Sequence, residues 1–106
     1  MSNSATVLTG QTALGGGGQA GATAFNNALF MQVGTCVANG DSVVLPAANI
    51  GQMVYLRNDG ATNCAVFPPP GGRINAVAAD NSVTVNAATQ SRFICTKNNG
   101  QQWFQL

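Results

Sequence analysis

The chain has 106 residues, enough for one domain, and a formal net charge of +1. Charged residues make up only 7 % of it and there is no histidine or glutamate, whereas roughly a quarter of an ordinary globular domain is charged. This excludes the charge field that gathers nucleic acid or an anionic membrane surface, and it removes the usual catalytic bases.

The first 28 residues read as a segment apart. They hold six of the 13 glycines together with Ser, Thr, Ala, Gln and Asn, and the first charged side chain is Asp41. Such a stretch cannot by itself bury enough apolar area to offset its ordering entropy. Two readings stand side by side: a disordered tail, or an arm that becomes ordered on a partner by adding main-chain hydrogen bonds to a sheet edge. Val7, Leu8, Leu14 and Phe25 are the side chains such a partner-binding arm would offer. Residues 16–21 (GGGQAG) match G-x-G-x-x-G, with Asp41 where a ribose-binding acid would sit. No convincing strand precedes them and no helix pattern follows, so the match reads as low-complexity glycine. The N-terminus lacks the basic and apolar regions of a signal peptide. No apolar run approaches the ~20 residues of a membrane span.

Leu29–Val37 is the first firm strand, and it leads into a passage written twice. Residues 37–60 and 77–100, offset by 40, are identical at Val37/Val77, Ala38/Ala78, Ser42/Ser82, Val43/Val83, Ala47/Ala87, Ala48/Ala88, Asn58/Asn98 and Gly60/Gly100. Each copy has a short strand (Ser42–Leu45; Ser82–Val85), a small-residue corner and a longer strand (Gln52–Arg57; Arg92–Lys97). Each then has a hairpin signal (Asn58–Gly60; Asn98–Gly100) and a third strand (Thr62–Phe67; Gln101–Leu106). Pro68, Pro69 and Pro70 cannot donate to a ladder, so they mark a stiff crossover between the copies. No window holds a capped 3.6-residue period, so little or no helix is expected. The expected fold is all-β: an antiparallel, jelly-roll-like β-sandwich over residues 29–106, made of two copies of a ~40-residue unit, with an extended arm over residues 1–28.

Alternation along the longer strands assigns their faces. Met53, Tyr55 and Arg57 lie opposite Gln52, Val54 and Leu56; the corresponding sets are Phe93, Cys95, Lys97 and Arg92, Ile94, Thr96. Both faces of the first strand are substantially apolar, whereas a half-solvated strand alternates cleanly. One face fills a core. The other needs a cover, for which a neighbouring subunit is the natural candidate and the chain's own loops or arm the alternative. Met53, Tyr55 and Arg57 are therefore candidate subunit-interface residues. Trp103, on a last strand where Phe104 and Leu106 face the other way, is a core or seam residue. Arg73, beside two glycines, could reach a partner's carboxylate. Both join the interface set.

Three cysteines, Cys36, Cys64 and Cys95, form no C-x-x-C pair and lie in apolar strand patterns; they read as small buried hydrophobes, not as a disulfide framework or a zinc site. The carboxylates Asp41, Asp59 and Asp80 all fall in turn signatures, where Asp bonds the local backbone. No catalytic residue, metal site or cofactor site is expected, and the chain reads as a non-enzyme.

The runs Leu45–Ala48, Gly51–Val54, Val66–Ala76, Ala78–Val83, Arg92–Thr96, Asn99-Gly100 and Trp103 together resemble a small all-β module of tailed-bacteriophage structural proteins, over roughly residues 36–106. Such modules occur in head decoration (cement) proteins and in tail or fibre proteins. The resemblance implies a β-sandwich subunit, trimeric, attached to a larger assembly, and no catalytic residues. The expectation is a decoration protein on the outer surface of the virion, with the major capsid protein as its partner and neither nucleic acid nor membrane. The alternative is a tail-fibre or tail-tip module that binds a receptor or glycan.

Overall fold

The computed structural model describes residues 7–26 and 28–106. They form ten strands and one short helix: β1 (Val7–Thr12), α1 (Gly18–Gly21), β2 (Thr23–Ala24), β3 (Phe30–Thr35), β4 (Ser42–Val44), β5 (Met53–Asn58), β6 (Cys64–Phe67), β7 (Arg73–Ile74), β8 (Val83–Val85), β9 (Thr89–Lys97) and β10 (Gln102–Gln105). One sheet has the order β1-β3-β5-β9-β10-β7, the other β2-β4-β6-β8. The all-β expectation holds, and most strand boundaries lie within two residues of those read from the sequence.

The chain changes sheet at every strand from β1 to β9; only β9 and β10 follow one another in the same sheet. This winding decides strand direction. A parallel neighbour needs a crossover, and from β1 to β6 each crossover is a single strand of the opposite sheet. So β1, β3 and β5 run parallel, as do β2, β4 and β6; β7 and β10, joined through β8 and β9, are parallel as well. Only β5–β9, β9–β10 and β6–β8 are antiparallel. The expected antiparallel sandwich is therefore corrected to a pair of mixed sheets. A jelly roll is antiparallel, so the parallel pairings depart from that pattern too.

The two inner faces share one core. Met31, Val33, Val54, Leu56, Phe93, Cys95 and Trp103 enter it from the larger sheet, and Val43, Cys64, Val66 and Val85 from the smaller. Each fully buried large side chain contributes roughly 1.5–3 kcal/mol relative to exposure.

The two written copies are not used alike. In copy two, Asn98–Gly100 joins β9 to β10 as the expected hairpin. In copy one, Asn58–Gly60 carries the chain from β5 in one sheet to β6 in the other, so the hairpin expected there is absent. The offset of 40 also equates residues on opposite faces. Met53 pairs with Ile94 and Val54 with Phe93; Val54 and Phe93 are buried, Met53 and Ile94 are not. A one-residue change of register moves a strand's side chains to the other face, and no single offset read from identities can detect it.

The N-terminal segment is also corrected. β1 extends the larger sheet along β3, and β2 extends the smaller along β4. Leu8 packs against the core and Phe25 has no exposed surface. Ala13 N donates to Thr35 O at 2.9 Å, and Ser42 Oγ to Leu14 O at 2.9 Å. Within residues 7–26 the uncharged arm finds its sheet edges in its own chain, so the boundary expected at residue 28 is no break in the described fold. The prolines do form a crossover, from β6 to β7 at the far edge of the larger sheet. Asp80 clamps it: its Oδ1 accepts from Gly71 N at 2.7 Å and from Gln19 Nε2 at 3.0 Å.

Candidate functional site

The outward side chains of the larger sheet alternate with buried ones. Phe30 stands beside Met31, Tyr55 between Val54 and Leu56, Ile94 between Phe93 and Cys95, and Phe104 beside Trp103, the buried neighbours all being core residues. Pairing aligns the outward set in two rows: Phe30–Tyr55–Arg92 across β3, β5 and β9, and Met53–Ile94–Phe104 across β5, β9 and β10. Tyr55 keeps 41 % of its surface exposed, Phe104 43 % and Leu106 58 %. A shallow groove of about 370 Å³ lies here, lined by Phe30, Tyr55, Leu56, Gln90, Ser91, Arg92 and Leu106. Leu106 N donates to Arg92 O at 2.7 Å, which fixes the last residue against this edge of the groove.

A polar frame borders the rows. Asp59 accepts from Arg57 Nε at 2.7 Å and from Gln32 Nε2 at 3.0 Å, while Gln32 Oε1 accepts from Gly10 N at 2.6 Å. The Gln32 hydrogen bond, then that from Arg57, holds the Asp59 carboxyl below its ordinary range. The other carboxylates serve turns and clamps. Asp41 Oδ2 accepts from Val37 N at 3.3 Å and Ala38 N at 3.2 Å, and Asp80 holds the proline crossover. All three cysteines are free and buried. Burial first, then the neighbouring Cys36, pushes the Cys64 thiol up to about 12. Among the described residues no group of three His, Cys, Asp or Glu side chains could hold a metal ion.

The structure separates the expected site residues into three groups. Met53, Tyr55 and Arg57 do share the outer face of the larger sheet. Arg73 is exposed on β7, three strands from β5. Trp103 is fully buried, its Nε1 donating to Gln101 Oε1 at 3.3 Å, so its place on an interface is corrected to the core. Of the expected arm residues, Val7 and Leu14 are exposed, Leu8 is half-buried and Phe25 is inside the core, where no partner reaches it. Sequence reasoning missed Phe30, Arg92, Ile94, Phe104 and Leu106 as members of the same face. Their alternation was legible; the strand order that gathers them was not.

No protein-family model matches the chain, and no curated protein matches it. A solved structure, a fragment of StcE (residues 132–251) from enterohemorrhagic E. coli, is similar at 24 % identity over 76 % of this chain and 65 % of that one, with a TM-score of 0.43. The chain thus spans slightly less than two-thirds of that fragment. A likeness of this size carries no argument about function.

Proposed function

We propose that this chain is a structural subunit of a phage virion: a decoration protein that binds the outside of the capsid as an oligomer, a trimer on the resemblance, and stabilises the shell without catalysing a reaction. The observation that carries the proposal is the pair of outward rows on the larger sheet, with Tyr55, Phe104 and Leu106 exposed. A sheet with one face in the core and an apolar opposite face is built to be covered in an assembly. The virion context comes from the sequence resemblance over residues 36–106.

Two measurements test the proposal: native mass in solution, and the thermal stability of phage shells with and without the protein. Oligomers and a raised shell melting temperature are the expected results. An unchanged shell ends the decoration reading. The second reading, a tail-fibre or tail-tip module, draws on the groove, where aromatic Phe30 and Tyr55 sit beside polar Gln90, Ser91 and Arg92. Retention on a glycan array, with no shell binding, moves the assignment to it.

A further inference from the structure

The four cations look scattered along the sequence, but the fold gathers them. Arg57 lies on β5, Arg73 on β7, and Arg92 and Lys97 on β9; all are strands of the larger sheet, and the smaller sheet carries none. Asp59, at the end of β5, is engaged by Arg57. Asp41 precedes β4 of the smaller sheet, whereas Asp80 is held against the start of β7 in the larger sheet: Gly71 N donates to its Oδ1 at 2.7 Å and its own N–H donates to Gly72 O at 2.8 Å. With Asp59 and Asp80 counted beside it, the larger sheet carries four cations against two carboxylates, a surplus of two positive charges, and Asp41 brings the chain to +1. Among the described residues, Arg73, Arg92 and Lys97 have no ion pair, and all three are exposed.

We infer that the outer face of the larger sheet docks on an acidic protein surface, with Arg92 and Tyr55 at the groove as the contact nearest the apolar rows. This rests on the reading of that face as an assembly surface and names the chemistry of its partner. Charge decides between the occupants. Two copies meeting through this same face about a two-fold axis would bring the unpaired Arg73 and Arg92 of each into one interface, a like-charge juxtaposition that interfaces select against. An acidic surface neutralises them and covers the apolar rows at once. Nucleic acid fits less well: its affinity depends on many phosphate contacts, and here apolar rows lie between a few well-separated cations.

The test uses the full chain and two short fluorescent peptides of equal length, one alternating Glu and Leu, the other Lys and Leu, with a short DNA duplex as a third probe. Fluorescence anisotropy at low salt reads binding. The acidic peptide is expected to bind and the basic one not, with affinity falling as salt shortens the Debye length toward about 8 Å. The double reversal R73E/R92E is expected to weaken acidic-peptide binding about tenfold. Both side chains are exposed and make no hydrogen bond among the described residues, so the melting temperature serves as a control that the variant folds. Equal binding of the two peptides, an unchanged affinity in R73E/R92E, or tighter binding of the duplex overturns the inference. It fails separately from the parent proposal. A monomer by native mass ends the oligomer reading and leaves the charge discrimination standing; loss of discrimination leaves the oligomer standing.

Discussion

Asn58 and Asn98 occupy the same position in the two written copies, yet their replacement has very different consequences. Asn58 is fully buried where the chain passes from one sheet to the other. Its Nδ2 donates to Thr62 O at 2.9 Å and Val85 O at 3.0 Å, and its Oδ1 accepts from Gly60 N at 2.9 Å. The Val85 bond ties the end of β5 to β8 of the other sheet. Asn58→Ala removes all three bonds, of which the one to Val85 O is buried and the other two are partly buried. At about 1 kcal/mol per lost bond, the loss is about 3 kcal/mol, a large part of the 5–15 kcal/mol that holds a typical domain. Asn98, exposed in the β9–β10 turn, makes no side-chain bond among the described residues; Asn98→Ala costs within about 0.5 kcal/mol. Asn58→Asp is worse than Asn58→Ala, because it sets a carboxylate against the two carbonyls without a donor. Urea unfolding of the four proteins, followed by far-UV circular dichroism, measures the differences. Equal stabilities for Asn58→Ala and Asn98→Ala would refute the claim that this side chain joins the sheets.

Gly60 and Gly100 form a second matched pair with distinct roles. A Cβ on Gly60 would stand 2.5 Å from Cys36 Cβ, whereas Gly100 has φ +85 and open space around it; Gly60→Ala therefore costs about 1–3 kcal/mol through overpacking and Gly100→Ala about 1–2 kcal/mol through backbone strain, both read from urea midpoints. The folded Asp59 carboxyl titrates below its unfolded value, so its contribution is present at neutral pH and fades as the pH falls below about 4; Asp59→Asn should flatten that part of a melting-temperature profile, and an unchanged acid limb counts against the Gln32–Asp59–Arg57 frame. The raised Cys64 value acts in the opposite direction, since the unfolded thiol ionises near 9 while the folded one holds its proton to about 12: stability falls as the pH rises through that interval, and iodoacetamide labels Cys64 only as fast as the domain unfolds. Replacing Tyr55 and Phe104 together by serine costs about 2–3 kcal/mol in urea unfolding, since each is more than half buried in the monomer, and abolishes binding to whatever covers the outer face; retained shell binding moves the contact elsewhere.

The strands were legible one at a time. Turn residues and β-branched runs placed β3, β4, β5, β6, β8, β9 and β10, because local φ/ψ preference and period-two alternation act over a few residues. The same local signals marked the cysteines as core and Pro68–Pro70 as a crossover. They also paired Phe104 with Leu106, and Arg92 with Ile94, on the correct faces of their own strands. β1 and β2 left no such signal. Their order depends on edges offered by β3 and β4, and glycine-rich sequence carries no preference that anticipates them. The repeat misled for a related reason. Identity at a fixed offset records residue type, but the face a residue presents depends on register, and register follows from which strands pair. Asn58–Gly60 and Asn98–Gly100 share their turn chemistry, yet one crosses the core and the other reverses along its neighbour, because β6 finds its partners in the smaller sheet. Composition and alternation thus determined an all-β chain with more apolar face than one core can use. Only the tertiary winding decided that Phe30, Met53, Tyr55, Ile94 and Phe104 form one surface and that all four cations share its sheet, since proximity between distant strands is a property of the closed fold and not of any local segment.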